Sequence, residues 1–132
     1  MSIRFNHTLV YSRDKEEASN FLTDILGLPA ASTFGPFLVV ELENGASLDF
    51  LEVDKTAVSP QHYAFLIDEE DFDQVFERIR AGDLNYWADP FKQRPGEINR
   101  NDGGRGVYFD DPSGHLLEVL TQPYGSGGST SF

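Results

Sequence analysis

Three side chains in this sequence have the types and spacing for metal chemistry. His7 and His62 lie 55 positions apart, and Glu118 sits within His115-Leu116-Leu117-Glu118-Val119-Leu120. A carboxylate amid apolar strand residues needs a compensating partner, because an unpaired buried charge is costly. Two imidazoles and one carboxylate supply such a partnership around a divalent cation and leave coordination positions open for substrate. Fe(II), Mn(II), Ni(II) and Zn(II) all accept these donors, one ion per site. The chain has no cysteine, so any metal must be held by His, Asp or Glu. His115 is excluded as a co-ligand, since strand alternation sends residues three apart to opposite faces.

The elements that must position these residues follow from periodicity. Residues 3–11 alternate Ile3, Phe5, His7, Leu9 and Tyr11 on one face, the pattern of a strand. Asp14 then caps a helix whose apolar face is Ala18, Phe21, Leu22, Ile25 and Leu26, and which Gly27 and Pro29 end. Strands are expected near 31–34, 36–42 and 46–53, the last two joined by a hairpin at Glu43-Asn44-Gly45-Ala46. The order then recurs: a strand at 61–67, a helix over 68–83 with Phe72, Val75, Phe76 and Ile79 on one face, and strands at 85–89, 106–110 and 115–121. The tail from 126 to 132 is Gly- and Ser-rich and reads as flexible.

A shift of 55 positions brings His7 onto His62, Phe21 onto Phe76 and Gly27 onto Gly82. The halves also end alike, "SLDFL" at 47–51 against "LLEVL" at 116–120, which makes Asp49 the counterpart of Glu118. Both halves read βαβββ, at about 1–57 and 58–125 of one domain spanning 1–125. The second carries about 14 extra residues, chiefly "FKQRPGEINRNDGG". Related halves would place equivalent strands about a pseudo-twofold axis. His7, His62 and Glu118 could then converge, with Asp49 as a fourth ligand or a hydrogen-bonded acid.

The stretches "NHTLVYSRDKEEASNFLTDILGLP" at 6–29, "QHYAFLIDEEDFDQVFERIR" at 61–80 and "GVYFDDPSGHLLEV" at 106–119 resemble the vicinal oxygen chelate superfamily. That superfamily includes glyoxalase I, extradiol dioxygenases, fosfomycin-resistance enzymes and bleomycin-binding proteins. The resemblance implies an α+β fold of two βαβββ modules whose curled mixed sheets form a cup around a divalent metal. It also implies a homodimer, and it assigns His7, His62 and Glu118 as the metal ligands.

Other residues extend the site. Glu118, as a metal-bound carboxylate, could shuttle a proton. Tyr108, on the strand beside it, could donate a hydrogen bond or act as an acid, or be a core aromatic with a satisfied hydroxyl. Tyr63 alternates away from His62 and is less favoured. Phe5, Leu9, Phe65 and Trp87 read as core or pocket wall. The 91–105 segment holds Lys92, Arg94, Arg100 and Arg105, four of the chain's ten basic residues, with Asn99 and Asn101. Arg105, Arg94 and Arg100 could bind an anionic, oxygen-rich substrate, or could pair with surface acids.

The balance of the 132 residues narrows the classes. A net charge of −12 excludes nucleic acid as an expected partner. No apolar run approaches a membrane span, and the N-terminus lacks the apolar stretch of a signal peptide, so a cytoplasmic location is expected. The resemblance implies, first, a glyoxalase-like lyase or isomerase in which the metal chelates adjacent oxygens of a small, anionic substrate and stabilises an enediolate-like intermediate. The alternatives are an Fe(II) dioxygenase or a fosfomycin-type thiol transferase, against which Leu9 stands where the latter has threonine. From another class comes a metal-free drug-sequestering protein.

Overall fold

The computed structural model describes residues 1–128. It divides into two compact units, Met1–Ser59 and a second beginning at Pro60. The first contains β1 (His7–Ser12), α1 (Lys15–Leu26), β2 (Ser32–Phe34), β3 (Phe37–Glu41) and β4 (Ser47–Glu52). The second contains β5 (His62–Leu66), α2 (Phe72–Ala81), β6 (Tyr86–Trp87), β7 (Gly106–Asp110) and β8 (Leu116–Leu120). Each is a βαβββ module with one mixed four-stranded sheet, ordered β1-β4-β3-β2 in the first and β5-β8-β7-β6 in the second. In both, the first and last strands pair in parallel and the other pairs are antiparallel.

The repeat holds to the residue. Asp49 lies opposite Leu9, two positions past His7, and Glu118 lies opposite Ala64, two positions past His62. Strand periodicity therefore puts each histidine and its acid on one face of the same parallel pair.

Local chemistry sets the helix limits. The Asp14 side chain accepts the Glu17 N–H at 3.0 Å, and Glu16 and Glu17 complement the positive end of α1. Gly27 closes the helix at φ 69°, a left-handed conformation that glycine adopts without penalty. α1 turns Ala18, Leu22 and Ile25 inward against its own sheet, where Val10, Val40, Leu48 and Phe50 are buried. α2 buries Phe72, Val75 and Ile79. In β7 the run Gly106–Phe109 is buried without a break, as expected of a strand covered on both faces.

Some boundaries differ from the sequence expectation. β1 begins at His7, not residue 3, and Phe5 is 70% exposed, so it forms no part of a core. Leu9 is also partly exposed, whereas Phe65 is buried. α2 begins at Phe72, after a 3-10 turn at Glu69–Asp71. The 85–89 strand shortens to Tyr86–Trp87 because Asp89 folds back to accept the N–H groups of Gln93 and Arg94. Of the tail expected to be flexible, 126–128 form a hydrogen-bonded turn, and 129–132 lie outside the described residues. No helix among the described residues is long and apolar enough to cross a membrane.

Candidate active site

Glu118 is 1% exposed, and its Oε1 lies 3.0 Å from His62 Nε2. His62 Nδ1 lies 2.9 Å from the Leu116 carbonyl. A carbonyl oxygen can only accept, so Nδ1 carries the hydrogen and Nε2 presents a lone pair. That lone pair faces a carboxylate oxygen. Two such atoms at 3.0 Å are reconciled by a proton shared between the ring and the carboxylate or by a cation bound to both. The spacing is that of an N–H···O bond and is also compatible with two adjacent ligands of one divalent ion. A ligating histidine that donates its other N–H to a backbone carbonyl is the usual metal-site arrangement. The residues present therefore fit a divalent metal. His62 is half-exposed, so the pair is reachable from one side.

A tyrosine that the sequence reading did not single out completes this cluster. Tyr124, six residues past Glu118, donates its hydroxyl to the two Glu118 oxygens. The Tyr108 hydroxyl lies 2.8 Å from that of Tyr124 and, with the Tyr124 hydrogen committed, is the donor between them. The Tyr108 ring stacks on His62 at 5.9 Å. Burial, then the Tyr124 bond and the Glu118 charge, push the Tyr108 phenol far above its ordinary value. Burial and the bond to Glu118 push Tyr124 up to about 12. Both hydroxyls thus keep their protons at neutral pH. The only sequence signal for Tyr124 was an aromatic after Pro123 within reach of a buried acid.

His115 serves the core. It is 1% exposed, its Nδ1 accepts the Gln61 N–H at 3.0 Å, and its ring meets Tyr63 edge-on at 5.6 Å. Asp111 beside it accepts the N–H groups of His115 and Ser113 at 2.8 and 2.9 Å. Burial outweighs these bonds and raises the Asp111 carboxyl.

His7 is exposed on β1, with Nδ1 2.7 Å from Asn6 Oδ1. Asp49 accepts the Ser47 hydroxyl at 2.8 Å, the hydrogen-bonded role expected as its alternative to ligation. Both belong to the first unit, and His62, Glu118 and Tyr108 to the second. Among the described residues, neither unit by itself gathers three His, Asp or Glu side chains into a metal-holding group.

The cationic segment is mostly committed to acids. Arg105 donates to Glu69 and Asp73 at 2.6 Å each and lies over the Phe72 ring at 4.5 Å. Lys92 bonds Asp110 at 2.7 Å and covers Trp87. Arg94 is half-exposed, with Nε 4.0 Å from Glu97, and Arg100 is exposed. Asn99 is buried and donates to the Ala88 carbonyl, which marks it as structural.

Residues 4–119 match the Glyoxalase/Bleomycin resistance protein/Dioxygenase superfamily. The chain belongs to this superfamily. It is similar to Oxidase ChaP-H2, with 58% identity, 97% of this chain and 100% of that one covered, and a TM-score of 0.93. It is 30% identical to the glutathione transferase FosA of Serratia marcescens over 121 residues, 86% of this chain and 77% of that protein. Its fold is also that of the fosfomycin resistance protein FosX of Listeria monocytogenes, solved with Mn(II) and sulfate. There the identity is 21%, the TM-score 0.69, and the coverage 96% and 95%.

Proposed function

We propose that this protein is a divalent-metal-dependent oxidase acting on a small, oxygen-rich organic substrate, with His62, Glu118 and His7 as metal ligands. The observation that carries the proposal is the His62–Glu118 pair, in which a ring fixed by the Leu116 carbonyl turns its lone pair toward a buried carboxylate. The likeness to Oxidase ChaP-H2 over nearly the whole of both chains favours oxidation over the lyase or isomerase chemistry that the motifs put first. The more distant likeness to FosA, with Leu9 at the threonine position, gives thiol transfer less support.

When bound, a divalent metal would polarise adjacent substrate oxygens and, if redox-active, pass electrons to an oxidant such as dioxygen. The chain supplies the setting. The Leu116 carbonyl orients His62, and burial of Glu118 keeps water from its carboxylate. Tyr108 and Tyr124 hold protons beside that carboxylate, and the Tyr108 hydroxyl, given to Tyr124 and stacked on His62, would meet a substrate oxygen once Tyr124 has moved aside. Arg94 and Arg100 are the cations proposed to meet an anionic group. Arg105 is instead engaged by Glu69 and Asp73.

We also propose a homodimer, which the exposed Ile3, Phe5 and Phe34 of the first unit favour.

Metal-free protein reconstituted in turn with Fe(II), Mn(II), Ni(II) and Zn(II) tests the reaction class. Oxygen consumption with phenolic and catecholic substrates under a redox-active metal, and none under Zn(II), is expected. Isomerisation of hemithioacetals without oxygen uptake would overturn oxidation in favour of glyoxalase-like chemistry.

A further inference from the structure

The Tyr124 hydroxyl sits on both oxygens of Glu118, so a cation drawn to that carboxylate competes with its hydrogen bond. The backbone that carries it is held firmly. Asp102, 6% exposed and at φ 57°, accepts the Gly125 and Gly127 N–H groups at 3.1 Å each. A Cβ at Gly127 would collide with the Asp102 backbone, so the close approach requires glycine. The Tyr124 side chain is different, being 48% exposed against 1% for Tyr108.

We infer that Tyr124 caps the metal-binding carboxylate. In the metal-free protein its O–H holds Glu118, and an incoming divalent cation displaces it while Asp102 keeps the segment in place. The inference rests on the proposal that His62 and Glu118 are metal ligands. Tyr124 then sets metal affinity, because a hydroxyl-to-carboxylate bond is strong and must be surrendered on loading. Its departure also removes the partner of the Tyr108 hydroxyl, which becomes available to substrate.

The test is titration of metal-free full-length protein with Mn(II) and with Zn(II), followed by calorimetry. Tyr124→Phe keeps the ring and is expected to bind about tenfold tighter than wild type. Asp102→Ala, which frees the segment, is expected to shift affinity the same way. Equal or weaker binding by both variants overturns the cap and leaves the metal ligands standing. Failure of wild type and both variants to bind either ion overturns both proposals.

Discussion

A backbone carbonyl decides what His62 can do. Because Leu116 accepts from Nδ1, the ring is fixed in tautomer and orientation, and Nε2 is the nitrogen offered to the site. Tyr108 stacks on that ring with its proton held by burial, and this makes it the proposed donor. Tyr108→Phe should lower kcat by about a hundredfold and leave KM little changed, as loss of a hydrogen bond made in the transition state does. Steady-state kinetics on the identified substrate check this, and an unchanged kcat would reduce Tyr108 to packing. The repeat made His7 the counterpart of His62 and Asp49 that of Glu118, and the strand register bears out that equivalence. Tyr124 was not legible in the sequence, since its position depends on a turn that Asp102 organises from more than twenty residues away.

At the scale of elements, the sequence was clear where a local signal governs. Asp14 and Gly27 bound α1 because a cap and a left-handed residue act within one turn. Gly27→Ala should cost about 1 kcal/mol, read from the urea midpoint. A boundary set by a side chain turning back on the backbone was not legible, as Asp89 at the end of β6 shows. The 91–105 segment read equally as a substrate-binding loop or as cations paired with surface acids, and Arg105 takes the second role with Glu69 and Asp73. Arg105→Lys should lower the melting temperature by a few degrees and leave substrate KM unchanged, about what a part-exposed ion pair contributes. A rise in KM with no stability change would return Arg105 to the substrate site.

Asp89 gives the turn before this segment a pH dependence. Burial alone would raise its carboxyl, but the N–H groups of Gln93, Arg94 and Phe91 outweigh that and hold it below the usual range. A depressed native value means that its stabilisation is complete above the ordinary aspartate value and is lost as pH falls through the native one. The stability difference between wild type and Asp89→Asn should therefore be greatest near neutrality. It should shrink below about pH 4, as denaturant midpoints across pH would record. A difference that stays constant with pH would contradict this.

Over the whole molecule, two modules of one topology each present a histidine and an acid at matching register positions, and the chain belongs to a superfamily that includes glyoxalases and dioxygenases. The first unit leaves Ile3, Phe5 and Phe34 exposed, apolar surface that association would cover. Sedimentation equilibrium should give twice the chain mass, and Phe5→Ser should shift the distribution toward monomer. The most direct measurement is the metal content of wild-type protein and Glu118→Gln, purified side by side and analysed by elemental mass spectrometry. The amide can still accept from Tyr124, so the variant should fold. Wild type should carry about one divalent ion per chain and the variant none above background. Equal metal in the two proteins, or none in wild type after reconstitution, would contradict a metal centre at Glu118.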